Sequence, residues 1–418
     1  MIHQEPPQKG ALSFLRMLAW STYDLANTIF SINILSLYFP LWVTQDHGGS
    51  DLLYAFTASV SIFASSLLMP FLGTLSDHLQ RRMIFLIPTT LLCVVATALL
   101  SRTVSLGWGL VTFGIANVGY QLGLLFYDAL LPEVGSKETI GKVSGLGVSL
   151  GYCGTLIGLA IVRPFVLTQG HQAAFLPTAI SFLLFSLPCF LIVRDISPSP
   201  LSSSFSLVQA TVQRFKKGMG HFERGGPLRP FLNFHFFSLM AIQPVILFMS
   251  VYTQKVIGFD DREMITFFFL TTLFAVVSAF LAGILTDRFG AKRTLLLSCG
   301  GWCAGLLSAM LATQRWHFWC AGGLIGTVMG STWVASRVLV IRFSSREYLA
   351  EVFGCLGFIG RLAAIIGPLV WGSVVWLFKS HFPWNYRGAL LCLLIWMAIA
   401  FWILLKKVPG ETFLKSTS

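Results

Sequence analysis

Two charged residues lie well inside apolar runs, away from their ends, where a charge is costly and ordinarily faces a cavity or a partner: Asp24 in the first run and Arg361 in the eleventh. Asn27, three residues after Asp24, shares its helix face. Burial and a neighbouring guanidinium act in opposite senses on the proton affinity of such a carboxyl, a balance that suits proton coupling. The plainer reading is a structural cap bonded to the next helix. Arg361 lies ten residues beyond Glu351, so it sits about 15 Å along its helix at 1.5 Å per residue. A guanidinium at that depth suits recognition of a carboxylate or other anion. The alternative is a buried pair with Asp24 or Asp128 that only holds helices together.

Other polar residues at helical spacing could line a cavity with these two: Asn117, Tyr120 and Gln121 in the fourth run, and Asn233, His235 and Gln243 in the seventh. Singly, each is as readily an interhelical hydrogen bond worth about 1 kcal/mol or less. Asp128 and Arg337 fall near the inner ends of the fourth and tenth runs, where gate residues would sit. No P-loop, H-E-x-x-H or C-x-x-C occurs, so ATP and metal chemistry lack their residues. The chemistry expected is binding and proton exchange, with no cofactor and no metal. The eight cysteines lie in or at the ends of apolar runs, without disulfide or zinc spacing, and read as small hydrophobes.

The elements that must position these residues are dictated by composition. The 418 residues are 55% hydrophobic and 11% charged, and the mean hydropathy is +0.75. A soluble protein could not hide that much apolar surface. In lipid, each spanning element must satisfy its own backbone hydrogen bonds, so apolar runs of about 20 residues read as helices. Twelve fit: 17–44, 52–76, 83–101, 106–130, 143–168 and 173–194, then 229–254, 263–286, 293–313, 317–341, 352–378 and 386–405. The first is long for one crossing, so it must tilt or kink. With both termini inside, lysines and arginines favour the inner segments by roughly three to one, as the positive-inside rule requires. The net charge of +12 follows from that bias and fits anionic lipid headgroups on the inner face, with no call for nucleic acid.

Trp42, Trp108, Trp316, Trp319, Trp376 and Trp384 collect near the outer ends, as an interfacial belt would. The long polar break at 195–228 reads as a linker carrying a short amphipathic helix on the inner leaflet. It divides an N-terminal six-helix bundle, 1–194, from a C-terminal one, 229–418.

A repeat supports two halves. Gly73-Thr74-Leu75-Ser76-Asp77 returns 210 positions later as Gly283-Ile284-Leu285-Thr286-Asp287, and basic pairs follow both copies, Arg81-Arg82 and Lys292-Arg293. Glycine lets a neighbouring helix approach, and aspartate accepts from a helix N-terminus or an arginine. Two copies in register point to a latch between sliding helices, formed by Gly73, Asp77 and Arg81 in one half and Gly283, Asp287 and Arg288 in the other. Arg337, Asp128 and Glu351 are expected to contribute to gating.

The turn resembles the G-x-x-x-D-R-x-G-R-K pattern of the major facilitator superfamily. The second copy, with Gly283, Asp287, Arg288, Gly290 and Lys292, fits it well; the first has His78 for Arg and Gln80 for Gly. Further stretches resemble the vacuole-effluxer-like family within that superfamily. These are Tyr23-Asp24-Leu25-Ala26-Asn27, Leu130-Leu131-Pro132-Glu133 leading to Gly141 through Gly147, and Ser336-Arg337 leading to Glu351-Val352-Phe353-Gly354 and Gly367-Pro368. The resemblance implies a twelve-helix, two-bundle permease that is proton- or gradient-coupled, with fungal relatives linked to vacuolar amino-acid efflux. Helix 5 has a glycine stripe (Gly147, Gly151, Gly154, Gly158) explained by close packing, and lacks the proline of the antiporter pattern.

The function expected is therefore a monomeric secondary transporter of a small polar solute, with an amino acid or another carboxylate-bearing metabolite favoured. It would work by rocking two halves, be coupled to H+, and reside in a bacterial inner membrane. Export of amphiphilic drugs, siderophores or lipids, and a receptor without flux, stand as alternatives.

Overall fold

A computed structural model of the chain describes residues 10–79, 81–134, 140–195, 227–344 and 349–409. Among these residues, twelve helices are long and apolar enough to cross a membrane. They run α1 (Gly10–Phe30, carried on through Ser31–Tyr38, Phe39–Leu41 and Trp42–Asp46), α2 (Asp51–Leu79), α3 (Met83–Leu100), α4 (Leu106–Val134), α5 (Ile140–Gln169) and α6 (Phe175–Ile192). Then come α7 (Leu228–Tyr252, extended by Thr253–Ile257), α8 (Asp261–Phe289), α9 (Ala291–Leu311), α10 (Arg315–Phe343), α11 (Leu349–Leu377) and α12 (Trp384–Lys406). The twelve expected spans are all present.

The excess length of α1 is taken up partly by π-helical turns at Ser31–Tyr38 and Trp42–Asp46. Such wide turns break the regular bonding ladder and recur at functional sites. Here one buries Asn33, whose amide donates to Thr178 Oγ1 at 3.1 Å.

Large apolar side chains cover the outside: Leu191, Phe280 and Leu297 are each more than two-thirds exposed. That inverts the soluble pattern and is what a lipid solvent selects. Inside, serine and threonine hydroxyls mostly return to their own helix, as Thr90 does to Leu86 O at 2.7 Å and Thr178 to Ala174 O at 2.7 Å.

The chain forms two compact units, Met1–Phe39 with Leu67–Leu207, and Pro40–Ser66 with Val208–Ser418. In the first, α1 packs on α5 and α6, α3 on α4, and α3 on α6. In the second, α7 packs on α11 and α12, α9 on α10, and α9 on α12. Adding six to each helix number of the first set gives the second, so the duplication seen in five residues extends to these pairings, while α8 also packs extensively on α10 in the second unit. The linking segment and first half of α2, residues 40–66, pack with the second unit. Residues 196–226, most of the expected linker, lie outside the described residues.

Close approach follows the glycines of α5. A Cβ on Gly154 would run into the Leu25 carbonyl of α1, and one on Gly158 would stand 3.4 Å from Ile29 Cα. The α8–α9 turn is a single residue, Gly290, at φ 90°, a conformation glycine reaches without strain. That accounts for the second glycine of the G-x-x-x-D-R-x-G-R-K pattern, which only the second copy has.

Candidate functional site

In the first unit the polar residues of α1 gather against α5. Asp24 is half-buried, and its Oδ2 lies 3.4 Å from where a Cβ would stand on Gly147 and equally 3.4 Å from that position on Gly151. The bare glycine surface therefore makes the space that holds the carboxylate. Thr28 joins it, its Oγ1 being 3.1 Å from the Gly151 position. Asn27 is 2% exposed, and neither its amide nitrogen nor its carbonyl oxygen bonds to a described residue. The Tyr127 hydroxyl, 3.2 Å from the Gly147 Cβ position, is likewise buried without a bond among the described residues. Orphaned buried polar groups are uncommon because each costs its desolvation, so they mark places where water or a ligand completes the bonding.

An aromatic stack fixes this cluster. Trp20 lies flat on Tyr127, ring centroids 4.3 Å apart, and donates through Nε1 to Tyr127 O at 3.1 Å. Tyr23 also stacks on Tyr127, at 5.0 Å, and shares a 2.6 Å hydrogen bond with Thr90 of α3. Phe30 packs on Tyr120 at 4.8 Å. Sequence reasoning placed Asp24, Asn27 and Tyr120 here but passed over Trp20, Thr28 and Tyr127. Their signal was slight, since an aromatic in an apolar run reads as core. Asn117 is buried and Gln121 half-buried on α4, whereas Asp128 is exposed.

In the second unit Arg361 is half-buried, with Nη1 3.6 Å from the Cβ position of Gly357, one turn earlier on α11. One residue before Arg361, Gly360 abuts α7: its Cβ position is 3.3 Å from Leu239 and 4.0 Å from His235 Nε2. The Phe231 ring stacks on His235 at 6.2 Å. Gln243 is half-buried on α7, while Asn233 is exposed. Each unit thus carries its own cluster, one around an aspartate and one around an arginine.

The repeated turns anchor helix ends. Asp195, just beyond α6, accepts from the backbone N–H groups of Arg82 at 2.8 Å and Met83 at 3.1 Å, capping α3, and Arg82 Nη1 donates to Ala129 O of α4. At the equivalent place in the second unit, Lys292 Nζ donates to Val408 O at 2.6 Å and Leu405 O at 3.4 Å, capping α12. Each turn is therefore tied to the end of the last helix of its own half, by different groups. Around Gly283 the expected close approach is not found, since a Cβ there would meet no atom within 4 Å, and at Gly73 the nearest is Leu125 Cδ2 at 3.8 Å. Arg81, Asp287, Arg288 and Arg337 are exposed. Asp77 and Glu351 lie outside the residues whose side chains are described.

Two features escaped the sequence. One is Asp51, the first residue of α2, which is buried at 2% exposure and accepts from Tyr386 and Trp371. The other is a cavity of about 660 Å³ where Ile257, Arg315, Trp316 and Arg387 meet. Its cations are engaged: Arg315 pairs with Glu263 at 2.9 Å and Arg387 donates to Ala312 O at 3.3 Å. None of the expected site residues lines it. Among the described residues no cluster of His, Cys, Asp or Glu could hold a metal ion.

Comparison with known proteins places this architecture. The chain is 25% identical over 377 residues to the MFS-type transporter YxiO of Bacillus subtilis (strain 168), covering 84% of this chain and 86% of that protein. Its fold is similar to that of the nucleoside transporter NupG, with a TM-score of 0.73, 11% identity and coverage of 94% and 99%. It is also similar to a bacterial homolog of the human lysosomal transporter Spinster, solved inward-facing and unoccupied, at a TM-score of 0.67, 14% identity and 98% of both chains. The family model of the Major Facilitator Superfamily matches residues 25–278 and 234–418. Twelve spanning helices, a repeated packing pattern and this match agree: the chain is a multi-pass integral membrane protein, a secondary transporter and not an enzyme, and it belongs to the Major Facilitator Superfamily.

Proposed function

We propose that the protein moves a small polar solute, an amino acid or another carboxylate-bearing metabolite, and that a proton moves with it. The observation that carries this reading is the Asp24 cluster: a half-buried carboxylate that shares the Gly147 surface with the Tyr127 hydroxyl, with the buried amide of Asn27 three residues on along α1, both of these neutral groups having no bond among the described residues. Asp24 is the proton site, and Asn27 and Tyr127 are neutral groups that a solute or its water completes, while Thr28, whose hydroxyl donates to Asp24 O at 2.9 Å, borders them. Arg361 supplies the charge for a solute carboxylate, which a planar guanidinium grips through paired bonds. Asn117, Tyr120, Gln121, Asn233 and Gln243 serve as lesser contacts.

The two six-helix halves rock about the solute, opening to each side in turn, and the inner turns gate that motion. In this reading Gly73, Asp77, Arg81, Asp128, Gly283, Asp287, Arg288, Arg337 and Glu351 belong to the gate. The motifs around Asp24 and Arg337 favour the vacuole-effluxer-like branch. The protein works as a monomer in a bacterial inner membrane, with anionic lipids on its basic face.

The test is flux in proteoliposomes under an imposed proton gradient, with amino acids, organic acids and nucleosides as candidate solutes. Gradient-driven uptake of a carboxylate solute is expected, reduced about tenfold or more in Asp24→Asn, as for loss of a proton-transfer group. Arg361→Ala should raise KM for that solute by about tenfold, the loss of one charged bond. Equal KM in Arg361→Ala and parent would remove the carboxylate from the reading, and gradient-independent flux would remove the proton.

A further inference from the structure

The cavity of about 660 Å³ lies wholly within the second unit, where the extension of α7 ends and where α10 and α12 begin. Because α9 runs from the Gly290 turn to Leu311, this is the end of the unit remote from that turn. Thr313, Gln314, Arg315, Trp316 and Arg387 are among the lining residues. None of them belongs to the groups assigned to the solute.

Its two arginines stand where acids ordinarily stand. Arg315 is the first residue of α10 and Arg387 the fourth of α12, at helix N-termini whose backbone N–H groups already present partial positive charge. Neither helix has an acidic residue in its first turn or a side-chain cap. For Arg315 the repulsion is offset. Its Nη1 donates to both carboxylate oxygens of Glu263 at 2.9 Å, and its Nη2 to Gly258 O at 2.8 Å. Arg387 has only neutral partners among the described residues: Ala312 O at 3.3 Å, the Trp384 ring at 5.1 Å and the Tyr252 hydroxyl. Its Nε is buried without a bond there. The acids of the adjoining segments are committed elsewhere. Asp260 caps α8, Asp261 accepts from Gln254, and Asp51 takes Tyr386, Trp371 and Lys255. A hollow with two helix N-termini and one charge unanswered favours an anion, and a guanidinium suits an oxyanion such as phosphate.

The rim is aromatic and exposed. Trp316 is 61% exposed, and Phe382 and Trp384, on either side of the lining residue Pro383, are 56% and 66% exposed. Tryptophans at the ends of spanning helices sit at the level of the lipid headgroups. Positive charge inside and aromatic surface outside fit an amphiphile better than a dissolved ion.

We propose that this cavity binds the phosphate of an anionic phospholipid headgroup, held by Arg387 with Arg315, while the acyl chains run along the exposed aromatic rim. The site is separate from the Asp24 and Arg361 clusters, and its occupancy does not depend on what the protein carries.

Thr313→Cys puts a thiol on the exposed lining of the cavity. The protein is placed in nanodiscs of phosphatidylcholine or in nanodiscs rich in phosphatidylglycerol. The rate at which an uncharged maleimide modifies the introduced thiol is read by peptide mass spectrometry. Phosphatidylglycerol should slow labelling about tenfold, the protection one charged hydrogen bond can supply. Added Arg387→Gln should make the rates in the two lipids equal, which a general effect of membrane charge on the reagent would not do. Gln314→Glu, nearly isosteric and exposed, places a carboxylate in the lining and should abolish the lipid dependence as well. It carries the test if Arg387→Gln fails to fold.

Equal labelling of Thr313→Cys in the two lipids overturns the site. Protection by phosphatidylglycerol that persists in both Arg387→Gln and Gln314→Glu overturns the assignment to the arginines. Equal protection by millimolar inorganic phosphate in phosphatidylcholine nanodiscs would make the occupant a free oxyanion and overturn the lipid.

Discussion

Asn27 buries an amide that finds no partner among the described residues, three residues along α1 from Asp24, whose carboxylate is held over bare glycine. A group of that kind destabilises the fold by about 1–3 kcal/mol unless water or a ligand bonds to it. If its purpose is to meet a solute, stability and function must part company there. Asn27→Leu, close in volume and free of the orphaned bonds, should leave the thermal midpoint in detergent unchanged or higher while raising KM for the transported solute about tenfold. A lower midpoint with unaltered KM would make Asn27 a structural residue. The candidate site was legible to this extent: a charge and an amide on one face of an apolar helix are improbable without a use. Thr28 and Tyr127 were not legible, because their polar atoms count only once α5 presents Gly147 and Gly151 to them.

At the scale of helices, equal residue types do unequal work. Gly154 and Gly283 both read as small residues admitting a neighbour, and only one of them does. A Cβ on Gly154 collides with the Leu25 carbonyl, whereas one on Gly283 meets nothing within 4 Å. Gly154→Ala should therefore push α5 from α1 and cost about 1–3 kcal/mol, seen as a fall in the detergent thermal midpoint. Gly283→Ala, in a helix interior with open space around it, should be neutral or add up to about 1 kcal/mol. The reverse order of midpoints would mean that the α8 glycine packs and the α5 glycine does not. The stripe of four glycines was plain from spacing alone. What the repeated turn holds was not, since Lys292 finds its acceptors 113 and 116 residues away, at the end of α12.

Across the whole molecule, the features set by composition and period were read without difficulty. Twelve spans and a duplication both follow from apolar length and a five-residue repeat, and four helix pairings of the first unit recur six helices on in the second. The features set by distant pairing were hidden. Asp51 meets Trp371 and Tyr386 across 320 and 335 residues, and a lone aspartate before an apolar run reads as a loop or cap. Orientation belongs to this scale too, because no single residue decides it. Lysines and arginines outnumber their counterparts on the opposite side by roughly three to one when the termini are inside, a bias strong enough to fix topology during insertion. A fluorescent protein fused after Ser418 should accordingly glow in the cytoplasm of a bacterial host, and alkaline phosphatase fused there should stay inactive. Phosphatase fused at Thr103, in the loop between α3 and α4, should be active. The opposite pattern would place Arg81, Arg82, Lys292 and Arg293 on the outside, and with them the turns that the transport reading assigns to the inner gate.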